Sequence, residues 1–148
     1  MVFRGYRVGD VEAMCALDAA CFAEVFRFSQ TAMRRFVEAK KAKVVVVEDA
    51  GELAGFCVVH MEGAVGYVVT IDVDERWRRK GVGGELMRRV EAEVREAGGV
   101  AMGLHVAVAN RVAITFYERE EYERVGREEG FYGEGGDAEL YRKELGGG

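Results

Sequence analysis

One change of rhythm constrains this chain more than any other feature. Val65 to Val73 alternates and β-branches like a strand, and from Val82 the apolar residues Leu86, Met87, Val90, Val94 and Ala97 follow a helical stripe closed by Gly98-Gly99. Val100 to Val108 then returns to a strand pattern. Strand, glycine-rich turn, helix, strand is a βαβ crossover, and a crossover makes its two strands parallel neighbours. The turn itself, Arg78-Arg79-Lys80-Gly81-Val82-Gly83-Gly84, puts three cations and three glycines at the first turn of the helix. There the unpaired amides and the helix dipole favour an anion, and glycine lets a phosphate approach the main chain. The turn lacks the Gly-Lys-Ser/Thr ending of a P-loop and the third glycine of a dinucleotide fingerprint.

The rest of the chain reads around that unit. Residues 2 to 8 predict a first strand. Asp10 is placed to cap a helix carrying Val11, Met14, Leu17 and Cys21, and Ser29 or Thr31 to start a second through Met33, Phe36 and Val37. Val44-Val45-Val46-Val47 reads as a buried strand, and Leu53 to Met61 with Val65 to Val73 as an antiparallel meander. Asn110 to Glu120 reads as a helix with Val112, Ala113, Phe116 and Tyr117 inward, followed by strands at Tyr122 to Arg127 and Ala138 to Lys143. Glu85 with Arg89 and Glu91 with Arg95 are expected to form a solvated face.

With 148 residues, 49% of them apolar, one domain over 1–148 with a real core is expected. The net charge of −5 argues against a broad nucleic-acid surface, so no nucleic-acid partner is expected. Cys15, Cys21 and Cys57 have no paired spacing and only His60 and His105 to join them, so neither disulfides nor a metal site is expected. All three cysteines read as small core residues, which disfavours a cysteine acyl-enzyme. No stretch reaches the length of a membrane span and the first residues lack a signal-type apolar run, which predicts a cytoplasmic protein without a membrane partner.

The turn Arg78-x-x-Gly81-x-Gly83 and the segment Asn110-x-x-Ala113-x-x-x-Tyr117 together resemble the GNAT acyltransferases, over nearly the whole chain. Phe131-Tyr132-Gly133-Glu134-Gly135-Gly136-Asp137-Ala138 is similar, more loosely, to a loop of protein Nα-acetyltransferases, including those acting on ribosomal proteins. The resemblance implies an α/β (α+β) fold with a mixed, mostly antiparallel sheet of six to seven strands, about four helices and one βαβ crossover. It also implies acetyl-CoA as donor and a primary amine as acceptor, with direct transfer in a ternary complex.

By the same resemblance Arg78, Arg79, Lys80, Gly81, Val82, Gly83 and Gly84 hold the CoA pyrophosphate. Ile71, Asp72 and Val73 offer backbone to the pantetheine arm, Asn110 holds that arm, and Tyr117 gives a proton to the leaving thiolate. Amine acetylation also needs a base. His105 and Tyr67, on the two strands flanking the acetyl group, are the candidates, and a histidine's ordinary pKa of about 6.5 suits proton removal from an α-amine. The acceptor is expected among Phe22, Glu24, Phe26 and Tyr132, although the family's usual proline is missing from this stretch. A protein or peptide α-amine leads. A polyamine, amino acid or antibiotic, with Glu134 and Asp137 acidifying the pocket, is the alternative acceptor, and an acyl-CoA-sensing module without turnover is the alternative of another class. The protein is expected to be a monomer or a homodimer.

Overall fold

Four consecutive valines, Val44 to Val47, can all be buried only if both faces of their strand are covered. In the computed structural model, which describes residues 1–146, they are. Val45 and Val47 join one apolar cluster and Val44 and Val46 a second on the opposite face. Each such side chain contributes roughly 1.5–3 kcal/mol by leaving water.

The chain runs β1 (Val2–Gly5), α1 (Val11–Cys21), α2 (Gln30–Val37), β2 (Ala42–Asp49), β3 (Glu52–Glu62), β4 (Val65–Val73), α3 (Val82–Glu96), β5 (Ala101–Ala107), α4 (Arg111–Arg119), β6 (Glu123–Glu128) and β7 (Ala138–Glu144). The seven strands lie in the order β1-β2-β3-β4-β5-β7-β6. Every pairing is antiparallel except β4 with β5, the two strands of the crossover. Helices α1 and α2 cover one face through Met14, Leu17, Met33 and Val37. Helices α3 and α4 cover the other through Leu86, Val90, Val94, Ile114 and Tyr117. The expected mixed sheet is therefore present, with seven strands and four α-helices among the described residues.

A bulge in β4 decides what faces the site. Val59 pairs with Val68 but Val58 with Thr70, so Val69 is the extra residue. Val68 points into the α3 cluster and, past the bulge, Ile71 and Val73 do so as well. Thr70 and Asp72 are thereby turned toward α1, where the Asp72 carboxyl meets that of Asp18. Both are fully buried, and the Thr70 hydroxyl donates to Asp72 Oδ1 at 2.6 Å while Asp18 Oδ2 accepts from the Phe28 amide at 2.8 Å.

Several local expectations are corrected. Asp10 does not cap α1 with its side chain; it accepts from the Arg7 amide and pairs with the Arg4 guanidinium. The first strand stops at Gly5 because a 3₁₀ turn occupies Val8–Asp10. Ser29, rather than Thr31, caps α2 by accepting from the Ala32 amide. In α4 the inward phase falls on Ile114 and Tyr117, which leaves Val112 82% exposed. Glu85 and Arg89 pair on the surface as expected, but Glu91 is buried. It accepts from the Tyr122 hydroxyl at 2.8 Å and from Lys143 at 3.2 Å, while Arg95 donates to the Leu145 carbonyl.

Candidate active site

The parallel pairing of β4 and β5 lasts for three rungs, Val65 with Ala101, Gly66 with Met102 and Tyr67 with Gly103, and then stops. Beyond it the strands run on to Val73 and Ala107 without pairing to each other. A wedge opens in the sheet whose walls carry backbone amides and carbonyls with no strand partner on that side. Tyr67 sits at the fork and His105 two residues past it on the other wall. Their side chains meet, with the Tyr67 hydroxyl 2.8 Å from His105 Nδ1.

The other imidazole nitrogen, His105 Nε2, lies 3.1 Å from Glu128 Oε1 at the end of β6. The Phe131 ring stacks flat on the imidazole, 3.8 Å between centroids and 1° between planes. Phe131 meets Tyr132 edge-on at 4.9 Å, and Tyr132 meets Phe26 in the same manner at 5.1 Å. An unbroken aromatic series thus runs from the 3₁₀ turn at Glu24–Phe26, across the β6–β7 loop, to the fork. Burial pushes the phenols of Tyr67 and Tyr132 up to about 12 each, so both carry their protons at neutral pH.

The basic turn lies at the open end of the wedge. Gly81 is the N-cap of α3 with φ +80°, a left-handed conformation, and a Cβ there would meet nothing within 4 Å. Arg79 is also left-handed at φ +63°, and it, Lys80 and Gly81 are exposed beside the first amides of the helix. Arg78 behaves differently: its Nε donates to the Val73 carbonyl at 3.0 Å and its Nη2 lies 3.4 Å from Cys21 Sγ, so its side chain folds back onto the end of β4. Val82 and Gly84 are buried, and Gly83 lies against Phe116, whose Cε1 would be 3.0 Å from an added Cβ. Ile71 and Val73 pack sideways onto the α3 cluster, and Asp72 faces Asp18.

On the far wall Asn110 caps α4, its Oδ1 accepting from the Ala113 amide at 3.2 Å. Tyr117 is almost wholly buried between Phe116 and Tyr122, and its hydroxyl has no hydrogen-bond partner among the described residues. Burial drives its phenol far above the ordinary value, so it is a donor at neutral pH.

Of the acceptor residues expected from sequence, Phe26 and Tyr132 come together, while Phe22 is half-buried and Glu24 exposed, with no charged partner among the described residues. Asp137, expected as a pocket acid, pairs instead with Arg127 at 2.7 Å and accepts from the Gly130 amide. Glu128, which touches His105, carries no local signal because its contact is made over a third strand, and Phe131, which opens the loop leading to Ala138, stacks on His105 from that loop. His60 is held by donating to the Phe36 carbonyl at 2.8 Å, as a structural histidine. Cys57 is fully buried with its thiol pushed far up, and no group of His, Cys, Asp and Glu among the described residues is arranged to hold a metal ion.

Residues 11–122 match the model of the acetyltransferase (GNAT) family. The chain belongs to the GNAT acetyltransferases. A curated relative, an N-alpha-acetyltransferase of Saccharolobus solfataricus, is 33% identical over 81 residues, which is 54% of this chain and 48% of the relative. The chain thus matches about half the length of that protein. The fold is shared with the ribosomal-protein-S18-alanine N-acetyltransferase of Escherichia coli, at a TM-score of 0.87 and 19% identity over 99% of this chain and 95% of that one. It is shared too with Arabidopsis thaliana NAA60, solved in complex with acetyl-CoA, at 0.85 and 22% over 99% of both chains. Ard1 of Thermoplasma volcanium follows at 0.84 and 22%, over 99% and 98%.

GNAT acetyltransferases draw their acetyl group from acetyl-CoA, and the residues present fit that donor. A left-handed glycine with open space at a helix N-terminus, two exposed cations and a wedge of unpaired backbone suit a pyrophosphate followed by an amide-bearing arm. No helix among the described residues is long and apolar enough to cross a membrane.

Proposed function

We propose that residues 1–148 act as one domain that acetylates the α-amine of a protein or peptide. The observation that carries this reading is the 2.8 Å contact between Tyr67 and His105 at the fork of β4 and β5. The fork is where a thioester must lie if the pyrophosphate rests on the Gly81 turn and the pantetheine arm follows the wedge. An α-amine, whose pKa is about 8, offers a usable unprotonated fraction at neutral pH, whereas a lysine side chain near 10.4 is almost wholly protonated there.

Acetyl-CoA supplies the activated carbonyl, and the chain's own groups do the rest. Arg79, Lys80 and the amides of Val82, Gly83 and Gly84 bind the pyrophosphate, with Arg78 bracing the end of β4. Backbone at Ile71, Asp72 and Val73 and the Asn110 amide orient the pantetheine arm. One amide of β4 faces the thioester oxygen and stabilises charge there. Tyr67 and His105 take the proton of the attacking amine, and Tyr117 protonates the departing sulfur.

Two features favour a peptide over a small polycation. The walls at the fork are aromatic, Phe26, Phe131 and Tyr132, and Asp137 is already neutralised by Arg127. The curated relative named as an N-alpha-acetyltransferase supports the same acceptor. The test is thiol release from acetyl-CoA with a panel of N-terminal peptides and small amines. Release with peptides is expected. Release only with polyamines, amino acids or aminoglycosides would overturn the acceptor assignment, and tight CoA binding without release from any amine would make the chain a sensing module.

A further inference from the structure

We propose that Glu128 is a positioning residue: it fixes the tautomer of His105 and so makes the Tyr67 hydroxyl the group that takes the amine's proton. This rests on the acetyltransferase reading of the site. A carboxylate can only accept, so the contact between Glu128 Oε1 and His105 Nε2 at 3.1 Å requires the proton on Nε2. Nδ1 of the neutral ring is then an acceptor, and the Tyr67 hydroxyl 2.8 Å away must donate to it. With its hydrogen so directed, the Tyr67 oxygen presents its lone pairs to whatever lies in the fork.

The contact is built across the sheet. Strands β5 and β6 are separated by β7, and Ala138 pairs with Ala107 on one side and Glu128 on the other. His105 itself pairs with Leu140, two residues along β7 from Ala138, so His105 and Glu128 lie on one face of the sheet and meet diagonally across β7. Phe131, stacked on the ring face, blocks rotation. Three restraints, at Nδ1, at Nε2 and on the face, hold one imidazole orientation.

The proton path then balances. As the amine nitrogen bonds to the thioester carbon, its proton passes to the Tyr67 oxygen while Tyr67 passes its own to His105 Nδ1. The imidazolium so formed is charge-paired with Glu128. As the carbon–sulfur bond breaks, the sulfur takes the Tyr117 proton. His105 returns its proton to solvent and Tyr117 recovers one from it.

The experiment uses the full chain as wild type, Glu128→Ala, Glu128→Gln, His105→Ala and the double variant His105→Ala with Glu128→Ala. Ring nitrogen shifts by ¹⁵N NMR report the tautomer, and thiol release with an N-terminal peptide reports kcat and KM. Glu128 is half exposed, so its replacement leaves the fold in place. The wild-type ring should be the Nε2–H tautomer, becoming a mixture in both Glu128 variants, because a glutamine amide can donate as well as accept. Each should lose about 10-fold in kcat with KM little changed, and the loss should vanish in the His105→Ala background. An Nδ1–H tautomer in the wild type, a single unchanged tautomer in Glu128→Ala, unchanged kcat, or the same 10-fold loss without His105 would each overturn the proposal. A wild type that turns over no amine would instead remove the acetyltransferase reading, and the ring spectrum would still decide the Glu128 contact.

Discussion

Tyr67, on the last rung of parallel pairing between β4 and β5, shares a 2.8 Å hydrogen bond with His105 two residues past that rung, so the fork that opens the sheet also brings a phenol and an imidazole together. Tyr67, pushed up to about 12 by burial, is a poor base at neutral pH, and in the proposed mechanism it acts by handing its proton to His105. Tyr67→Phe should therefore lower kcat by about 10²-fold while KM for acetyl-CoA changes little. Steady-state thiol release checks this, and a loss confined to KM would contradict it.

Tyr117→Phe separates packing from chemistry. The hydroxyl has no partner among the described residues, so its removal should move stability by less than about 0.5 kcal/mol, read as midpoint in urea. In the proposed mechanism this hydroxyl protonates the thiolate, so its loss should lower kcat by about 10²-fold. Tyr117→Ala, in contrast, should cost about 3–5 kcal/mol through the cavity left beside Phe116 and Tyr122.

Gly81→Ala forces a Cβ into a left-handed conformation at φ +80° with open space around it. The cost to stability should be about 1–2 kcal/mol, together with a raised KM for acetyl-CoA. Gly83→Ala presses on Phe116 and not on open space, so it should disturb the packing of α3 on α4 more than donor binding. Thermal unfolding beside acetyl-CoA titration distinguishes the two.

Asp72 and Asp18 make stability depend on pH. Burial, followed by the Asp18 charge, raises Asp72 well above the ordinary carboxylate range, whereas the unfolded chain releases that proton near pH 3.9. The folded state then holds the extra proton, so this group's contribution is fully present below about pH 4 and is lost as pH rises toward the folded value. Asp72→Asn, which keeps a donor for Asp18, should raise the melting temperature at pH 8 and flatten its dependence on pH. A lower melting temperature at pH 8 would contradict the shared proton.

How much of this was legible in sequence follows from where each signal lies. Val65–Val73 and Val82–Glu96 are legible because period and capping are local. The four-valine run marked a strand covered on both faces for the same reason. The phase of α4 at Val112 is not fixed by sequence because a nine-residue helix offers few apolar repeats, and the burial of Glu91 is not visible there because its partners, Tyr122 and Lys143, are distant in sequence. Within the site, Tyr67, His105 and Tyr117 are candidates through the family resemblance, and the fold brings Tyr67 and His105 into contact. Glu128 is not legible in sequence, since it reaches His105 over a third strand, and Asp18 is hidden as a polar residue on an otherwise amphipathic helix.

The most direct test of α-amine acetylation is to incubate the protein with acetyl-CoA and a peptide that carries both a free N-terminus and an internal lysine, and to locate the added acetyl group by fragmentation mass spectrometry. A single acetyl group on the α-nitrogen, formed about 10²-fold more slowly with Tyr67→Phe, is the expected result. Acetylation of the lysine side chain, or of a polyamine but never of the peptide, would contradict it.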